Sequence, residues 1–223
     1  LLLWTGNPNL FPTVVMVGNF AVPAAYVAFF YERRHLSQLS MPTTMMALLY
    51  GGLLGVFAAS ILEPLFIHGQ SILYVFVVGL VEEFVKILGV LVIARRRQHD
   101  SELDGLILGA AAGMGFAALE SMGYAFTSFM RSGGSLSTTV GVTLLRGLLS
   151  PLGHGTWTAI LIGVLFRESA PGRYHVNGKV VGTYLLVVLL HALWDGLPTV
   201  ISALFPSGVD VFLGQAAVGA AGL

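Results

Sequence analysis

The sequence predicts an all-α, polytopic membrane bundle of about seven or eight transmembrane helices, with one half-helix before Pro151. Of the 223 residues, 56% are hydrophobic and 10% are charged, whereas an ordinary soluble domain has about 25% charged residues. The mean hydropathy is +0.84. Apolar stretches repeatedly reach the roughly 20 residues that cross a hydrocarbon core, and the polar and apolar alternation of membrane β-strands is absent.

Composition also excludes several classes of protein. Eleven basic residues balance eleven acidic ones, and no long basic run offers a footprint for phosphates, so we expect no nucleic-acid partner. The chain has no cysteine, which excludes disulfides, thiolate metal sites and a cysteine nucleophile. Because it begins at Leu1 and not at Met, we expect it to be truncated, at both ends. No repeat or soluble domain fits between the apolar runs, so residues 1–223 form one membrane domain.

The long apolar runs predict the spans in chain order. Four spans come first, at Leu10–Tyr31, Thr43–Phe66, Ser71–Ala94 and Gly105–Phe129. Three more follow, at Pro151–Phe166, at Val180–Leu197 and from Val209 to the end of the chain. Ser137–Ser150 is too short to cross alone and carries Arg146. We expect it to be a half-helix that lies along or dips into the surface before Pro151 starts a new segment.

Small residues predict where helices come close. Gly51 and Gly55, and likewise Gly109 and Gly113, lie four residues apart on one helix face. This spacing lets neighbouring backbones approach each other.

Lysine and arginine placement orients the bundle, because cytoplasmic loops accumulate positive charge. Eight of the eleven basic residues fall in loops on one side, and Arg131 falls in a loop on the other. The visible N-terminus is therefore expected outside. The eight inner residues are Arg33, Arg34, Arg95, Arg96, Arg97, Arg167, Arg173 and Lys179.

Charged residues inside apolar segments need a physical reason. A charge at the bilayer centre costs about 2.5 to 3.5 kcal/mol on insertion scales, so such residues face a protein interior and suggest function. The carboxylates among them and two histidines lie on four helical segments, and we expect these acidic and imidazole groups to converge on one wet pocket that polarises water against an amide. The charged residues are Glu82, Glu83, Lys86, Glu120, Arg146 and Asp195, and the histidines are His154 and His191.

The segment Glu82-Glu83-Phe84-Val85-Lys86 lies in the middle of the third predicted span. Two adjacent carboxylates are hard to ionise together in a low dielectric. Lys86 lies one helical turn from both and helps one of them, so the other needs a proton, a metal or a partner from another helix. Such coupling tunes a general base. The alternative is a neutralised polar cluster that only holds helices together.

The remaining motifs lie on other segments. Glu120 can face the two carboxylates across an antiparallel neighbour, or can be a structural carboxylate. His154 starts a span after a proline break, where irregular backbone usually lines a cavity, although a lone histidine is more often a core residue. His191 and Asp195 share one helix face, so Asp195 can accept one ring N–H and leave the other nitrogen free for a metal or a carbonyl. The alternative for them is a helix-stabilising pair.

A charge count connects these motifs. The four carboxylates carry four negative charges, and Lys86 and Arg146 return two positive ones. One divalent cation would compensate the residual charge, with histidine and carboxylate ligands suited to zinc. Two shared protons would also do so.

Four ordered motifs carry a resemblance to a known family. They are Glu82-Glu83-x-x-Lys86, Phe116-x-x-x-Glu120, His154 after Arg146 and Pro151, and His191-x-x-x-Asp195. They resemble the motifs of the PrsW family of intramembrane proteases, which belongs with the CAAX prenyl endopeptidases and related bacteriocin-immunity proteins. The resemblance extends from about Ser71 to Pro198. It departs from the family pattern where Ser121 follows Glu120 in place of a frequent Asn.

The resemblance implies that the chain hydrolyses a peptide bond of a single-span membrane protein, in bacteria typically an anti-sigma factor. It implies a multi-pass protein of a prokaryotic plasma membrane and a divalent metal, most simply zinc. By this resemblance Glu82 is the base that activates water, and the two histidines are metal ligands or oxyanion stabilisers. The implied catalytic residues are Glu82, Glu83, Glu120, His154 and His191, the supporting residues Lys86 and Asp195, and the metal ligands Glu120, His154 and His191.

The predicted depths of these residues in the membrane are also consistent with one shared site. In the predicted orientation Glu82 and Glu83 lie at mid-membrane, Glu120 and His191 lie a few ångströms outward, and His154 and Asp195 lie nearer the outer face. We therefore expect a cavity that opens outward.

Two other functions also fit these residues. Midplane Glu, Lys, His and Asp are typical of proton relays, so an ion- or proton-coupled transporter is one alternative. A relative that binds membrane proteins without cutting them is the other.

Overall fold

The computed structural model describes residues 2–68, 71–94, 101–149, 152–170 and 173–204. No β-strand forms in these ranges, which confirms the predicted all-α class. A 3₁₀ turn at Pro8–Leu10 precedes α2, and a π-helical turn at Ala47–Gly51 joins α3 to α4. The helices are α1 (Leu2–Thr5), α2 (Phe11–Glu32), α3 (Met41–Met46), α4 (Gly52–Phe66), α5 (Tyr74–Ala94), α6 (Glu102–Arg131), α7 (Leu136–Leu149), α8 (His154–Arg167) and α9 (Gly178–Leu204).

The helices form a multi-pass membrane bundle. Five helical segments are long and apolar enough to cross a membrane, namely Pro8–Glu32, Met41–Phe66, Glu102–Arg131, Leu136–Arg167 and Gly178–Leu197. At 1.5 Å per residue, the 21 residues of α5 also reach about 32 Å, although three of them are charged. The predicted last span, from Val209, lies outside the described residues.

Polar residues at the helix ends explain where two of the helices begin. The hydroxyl of Ser40 accepts a hydrogen bond from the backbone N–H of Thr43 and caps α3. Ser101 does the same for α6 through the N–H of Asp104. Such caps satisfy backbone donors that the first helical turn leaves without partners. Arg131 in the last turn of α6 complements the negative end of the helix dipole.

The centre of the bundle is α6, which packs against α2, α4, α7 and α8. Glycines make this packing close. A Cβ at Gly109 would lie 2.5 Å from the carbonyl oxygen of Thr158 on α8, and one at Gly55 would lie 2.9 Å from the ring of Phe116. A Cβ at Gly113 would overlap the carbonyl oxygen of His154. The predicted role of these small residues in close helix contact is confirmed.

Two short helices pack along α6 in succession. We call the end of the bundle where α5 begins and α6 ends the outer end, because the charge pattern predicts that it is extracytoplasmic. Arg146 of α7 contacts Glu120 in the outer half of α6. His154, at the start of α8, lies against Gly113 near the middle of α6, and the end of α8 contacts the inner end of α6. Helices α7 and α8 therefore run along α6 as two halves of one candidate span.

This arrangement corrects the prediction of a full span at Pro151–Phe166. The 14 residues of α8 cover about 21 Å, which is less than a hydrocarbon core. The predicted half-helix at Ser137–Ser150 exists as α7, and it occupies the outer half of the same crossing. His154 consequently lies near mid-membrane and not near the outer face. Pro151 itself is outside the described residues.

The inner ends of α8 and α9 are joined by exposed polar contacts. The Asn177 amide donates to Glu168 at 2.8 Å, and Lys179 and Arg167 each donate to Glu168 at 3.2 Å. These hydrogen bonds, that of Asn177 foremost, lower the pKa of the Glu168 carboxyl. Exposed pairs of this kind add little stability.

Gly115 tests whether close contact along α6 stabilises the fold. A Cβ at this position would overlap the carbonyl oxygen of Leu48 in the π-helical turn, and overpacking against backbone costs about 1 to 3 kcal/mol. We expect Gly115→Ala to lower the thermal unfolding temperature in detergent. Gly123→Ala on the same helix is the control, because nothing lies within 4 Å of its Cβ position. Equal unfolding temperatures for both variants would contradict this packing.

Candidate active site

All seven side chains that the sequence predicts for the site come together at the middle of the bundle. Four helices supply them, and each helix contributes a member that contacts another helix. They are Glu82, Glu83 and Lys86 on α5, Glu120 on α6, His154 on α8, and His191 and Asp195 on α9. The expected convergence of acidic and imidazole groups is therefore present in the structure.

Lys86 is the centre of the cluster. Its side chain is fully buried, and its Nζ donates to Glu83 Oε1 at 2.7 Å and to His154 Nδ1 at 2.8 Å. Glu82 Oε2 lies farther from the same Nζ, at 3.4 Å. The two adjacent carboxylates are thus unequal, because the ammonium group forms its short ion pair with Glu83.

Glu83 has partners on three helices. Besides Lys86, its Oε1 accepts a hydrogen bond from His191 Nδ1 at 2.8 Å, and its Oε2 accepts one from the Thr158 hydroxyl at 3.3 Å. Its side chain has no exposed surface. A carboxylate with this many donors holds α5, α8 and α9 in register and has little capacity left for a substrate.

His191 forms its short hydrogen bond with Glu83 and not with Asp195. The sequence predicts that Asp195 orients the ring, but its Oδ2 lies 3.4 Å from Nε2, the nitrogen opposite the one that bonds to Glu83. Since a carboxylate accepts the Nδ1 hydrogen, Nε2 of the neutral ring carries a lone pair. This buried Nε2 makes no hydrogen bond within the described residues. It lies 3.5 Å from Glu82 Oε2.

Glu120 lies on the other side of the cluster. Its Oε2 is 3.3 Å from His154 Nε2 and 2.8 Å from Arg146 Nη2. The sequence predicts Glu120 as a metal ligand with the two histidines. In the described residues the group whose ligand atoms lie close enough to share an ion contains Glu82 in its place. The Glu120 carboxylate is bound by Arg146 of α7.

Aromatic rings form the walls of the cluster. Lys86 Nζ lies 4.2 Å from the centre of the Phe116 ring, a cation–π contact. The rings of His154 and His191 are 5.0 Å apart, and Trp157 packs on His191 at 6.2 Å. Phe116 is therefore the apolar support of the buried ammonium group.

A cavity of about 780 Å³ adjoins the cluster. It extends from Glu82 along the outer halves of α4, α5 and α6, as far as Val75 and Thr127, which fits the expected outward-facing cavity. Glu82, Glu120, Arg146 and Asp195 contribute to its lining, together with Glu63, Tyr124 and apolar residues of α4, α5 and α6.

Glu63 is a cavity residue that sequence reasoning misses. It lies in the last turn of α4, next to Pro64, where a carboxylate on a predicted span is readily assigned to the membrane interface. The sequence feature that could have identified Glu63 is its charge inside the predicted span Thr43–Phe66. It could not be placed in the cavity before the rotation of α4 was known.

The donor set fits a divalent metal ion. Glu82, His154 and His191 each offer a ligand atom, and these atoms lie within 4.8 Å of one another. His191 Nε2 makes no hydrogen bond in the described residues and lies 3.4 and 3.5 Å from oxygens of Asp195 and Glu82, so the neutral ring would offer a cation a lone pair among negative groups. Carboxylate and imidazole ligands suit zinc. His154 can join only if Nε2 gives up its hydrogen, since Lys86 donates to the other nitrogen.

Comparison with known proteins identifies one matching family. Residues 40–220 match the family model described as PrsW family intramembrane metalloprotease. No curated protein and no solved structure matches the chain. The matched range contains all seven residues of the cluster.

The unequal contacts of the two adjacent carboxylates lead to a stability prediction. Glu83→Gln should lower the free energy of unfolding by about 3 to 5 kcal/mol, because it leaves the buried Lys86 without its short ion pair. Glu82→Gln should cost much less, since its contacts are longer. Thermal unfolding of both variants in detergent measures the difference. Similar losses in the two variants would argue against the assignment of Glu83 as the structural carboxylate.

Proposed function

Because this chain belongs to the PrsW family of intramembrane metalloproteases, we propose that it hydrolyses a peptide bond of a membrane protein with Glu82 as the base that activates water. One observation carries this assignment. Of the two adjacent carboxylates, Glu82 lines the cavity, whereas Glu83 is held by Lys86, His191 and Thr158.

The reaction needs a proton acceptor beside the substrate carbonyl. Water attacks the carbonyl carbon, and Glu82 takes the proton that is released and returns it to the leaving amine. His154 carries its hydrogen on Nε2 and can donate it to the developing oxyanion. Lys86 contributes through its positive charge, which stabilises the negative charge of the cluster in a desolvated site.

In an alternative, metal-bound form of the mechanism, Glu82, His154 and His191 would hold a divalent ion. Glu82 would then be a ligand, and His154 would have given up its Nε2 hydrogen. Bound there, zinc or a similar ion would polarise the carbonyl group and lower the pKa of water. The cluster supports such a site through His191 Nε2, which makes no hydrogen bond to a described residue and lies beside the carboxylates of Asp195 and Glu82.

The cavity supports a membrane-protein substrate. It has room for a short stretch of peptide, whereas a packed helix with side chains is about 10 to 12 Å wide. We propose that a single-span protein enters and unwinds at the outer half of the bundle, as an anti-sigma factor of a prokaryotic plasma membrane would.

The catalytic assignment is tested with the purified chain in detergent and a candidate single-span substrate. Glu82→Gln and His191→Ala should each lower kcat/KM by about 10² to 10⁴, the usual contribution of general acid–base groups. Glu102→Gln, an exposed residue at the inner end of α6, is the matched control. Cleavage by Glu82→Gln and His191→Ala at the rate of the unmodified chain would contradict the proposal.

A chelator separates the two forms of this mechanism. If a metal is required, chelation should abolish cleavage by the unmodified chain, and added zinc should restore it. Cleavage that persists in chelator would show that glutamate and histidine act without an ion.

The position of the cut tests the direction in which the cavity opens. Mass spectrometry of the two fragments should place the cleaved bond in the outer half of the substrate's span or just beyond it. A cut mapped to the cytoplasmic half would refute both the orientation and the proposed entry of the substrate.

A further inference from the structure

We propose that Arg146 is a positioning residue of this site: it holds the Glu120 carboxylate against His154, where that carboxylate accepts the Nε2 hydrogen and fixes the ring. The importance of this role for catalysis rests on the proposed function. The geometry of the hydrogen bonds does not.

Three contacts with α6 hold the guanidinium group of Arg146. Nη2 donates to Glu120 Oε2 at 2.8 Å, and Nε donates to the Ser121 hydroxyl at 3.1 Å. Cζ also lies 3.9 Å from the centre of the Tyr124 ring. The side chain is 22% exposed and lines the cavity. Such a planar, multiply bonded guanidinium group has one orientation, which a lysine ammonium group cannot reproduce.

The same carboxylate oxygen connects Arg146 to the catalytic cluster. Glu120 Oε2 lies 3.3 Å from His154 Nε2, so it can accept the hydrogen of that nitrogen while it binds the guanidinium group. Glu120 itself borders the cavity. The guanidinium group prevents its carboxylate from turning into that space.

Lys86 imposes the same tautomer from the other side of the ring. An ammonium group has donors and no acceptor, so His154 Nδ1 must accept the 2.8 Å hydrogen bond from Lys86 Nζ. The hydrogen of the neutral ring is then on Nε2, facing Glu120. His191 has the opposite tautomer, since its Nδ1 donates to Glu83.

Arg146 also connects the outer half-helix to the chemistry. It lies in the last turn of α7, and the neighbouring Gly147 packs closely against the backbone of Gly18 on α2. The position of α7 therefore sets the position of the guanidinium group. Through Glu120, it also sets the orientation of the histidine at the start of α8.

The experiment uses the full chain in detergent, treated with chelator and labelled with ¹⁵N-histidine. The His154 signals are assigned by their loss in His154→Gln. In the unmodified chain, His154 should show a hydrogen on Nε2. In Arg146→Met the Nε2 signal should shift because its N–H loses a fixed carboxylate acceptor, kcat should fall about ten- to a hundredfold as for other groups that orient a site residue, and KM should change less.

Three further variants complete the test. Arg146→Lys should restore part of the activity and part of the His154 signal. Arg131→Met removes an exposed arginine from the last turn of α6 and should change neither. Glu120→Gln interrupts the same series of contacts without removing Arg146, and it should shift the same ¹⁵N signal even if Arg146→Met does not fold.

An unchanged His154 spectrum in both Arg146→Met and Glu120→Gln would overturn the proposal, as would an Nε2 without hydrogen in the unmodified chain. The proposed function fails in a different way. If the unmodified chain cuts no substrate but the ¹⁵N signals change as expected, the positioning role stands and the protease assignment does not.

Discussion

A buried ammonium group organises the centre of this bundle. Lys86 has no exposed surface, and in the interior of a membrane protein its charge must be matched nearby. Its short contacts with Glu83 and His154 connect α5 to α8, and Glu83 extends the connection to α9 through His191. Loss of this one charge would leave two carboxylates and two histidines without the group that arranges them.

The contacts of Lys86 also give different roles to residues of the same type. Glu83 is consumed by the ion pair and by His191, so Glu82 is the carboxylate that meets the cavity. The two histidines differ in the same way, because one accepts a hydrogen bond from Lys86 and the other donates one to Glu83. The contacts of Lys86 thus distinguish the structural carboxylate, Glu83, from the candidate base, Glu82. They also distinguish the two imidazoles, because His154 has its hydrogen on Nε2 and the neutral ring of His191 has a lone pair there.

Close helix packing brings these groups within reach of each other. Gly113 lets the start of α8 lie against the middle of α6, and the break between α7 and α8 lets one candidate span supply two different residues to the site. Arg146 reaches it from the outer half and His154 from the inner half. An unbroken helix would present one continuous face, so the interruption has a direct consequence for the chemistry.

The sequence by itself determined the membrane class, four of the spans to within a few residues, and the seven side chains that meet in the cluster, because hydropathy and misplaced charges are local properties of the chain. It could not assign Glu83 as the partner of His191, show that Glu82 lies with the two histidines in the group that could hold an ion, or place Glu63 in the cavity. Those choices depend on the rotation of each helix about its axis and on the depth of α8. Only the packing of the helices against one another decided them, since contacts between distant segments are not written in any one segment.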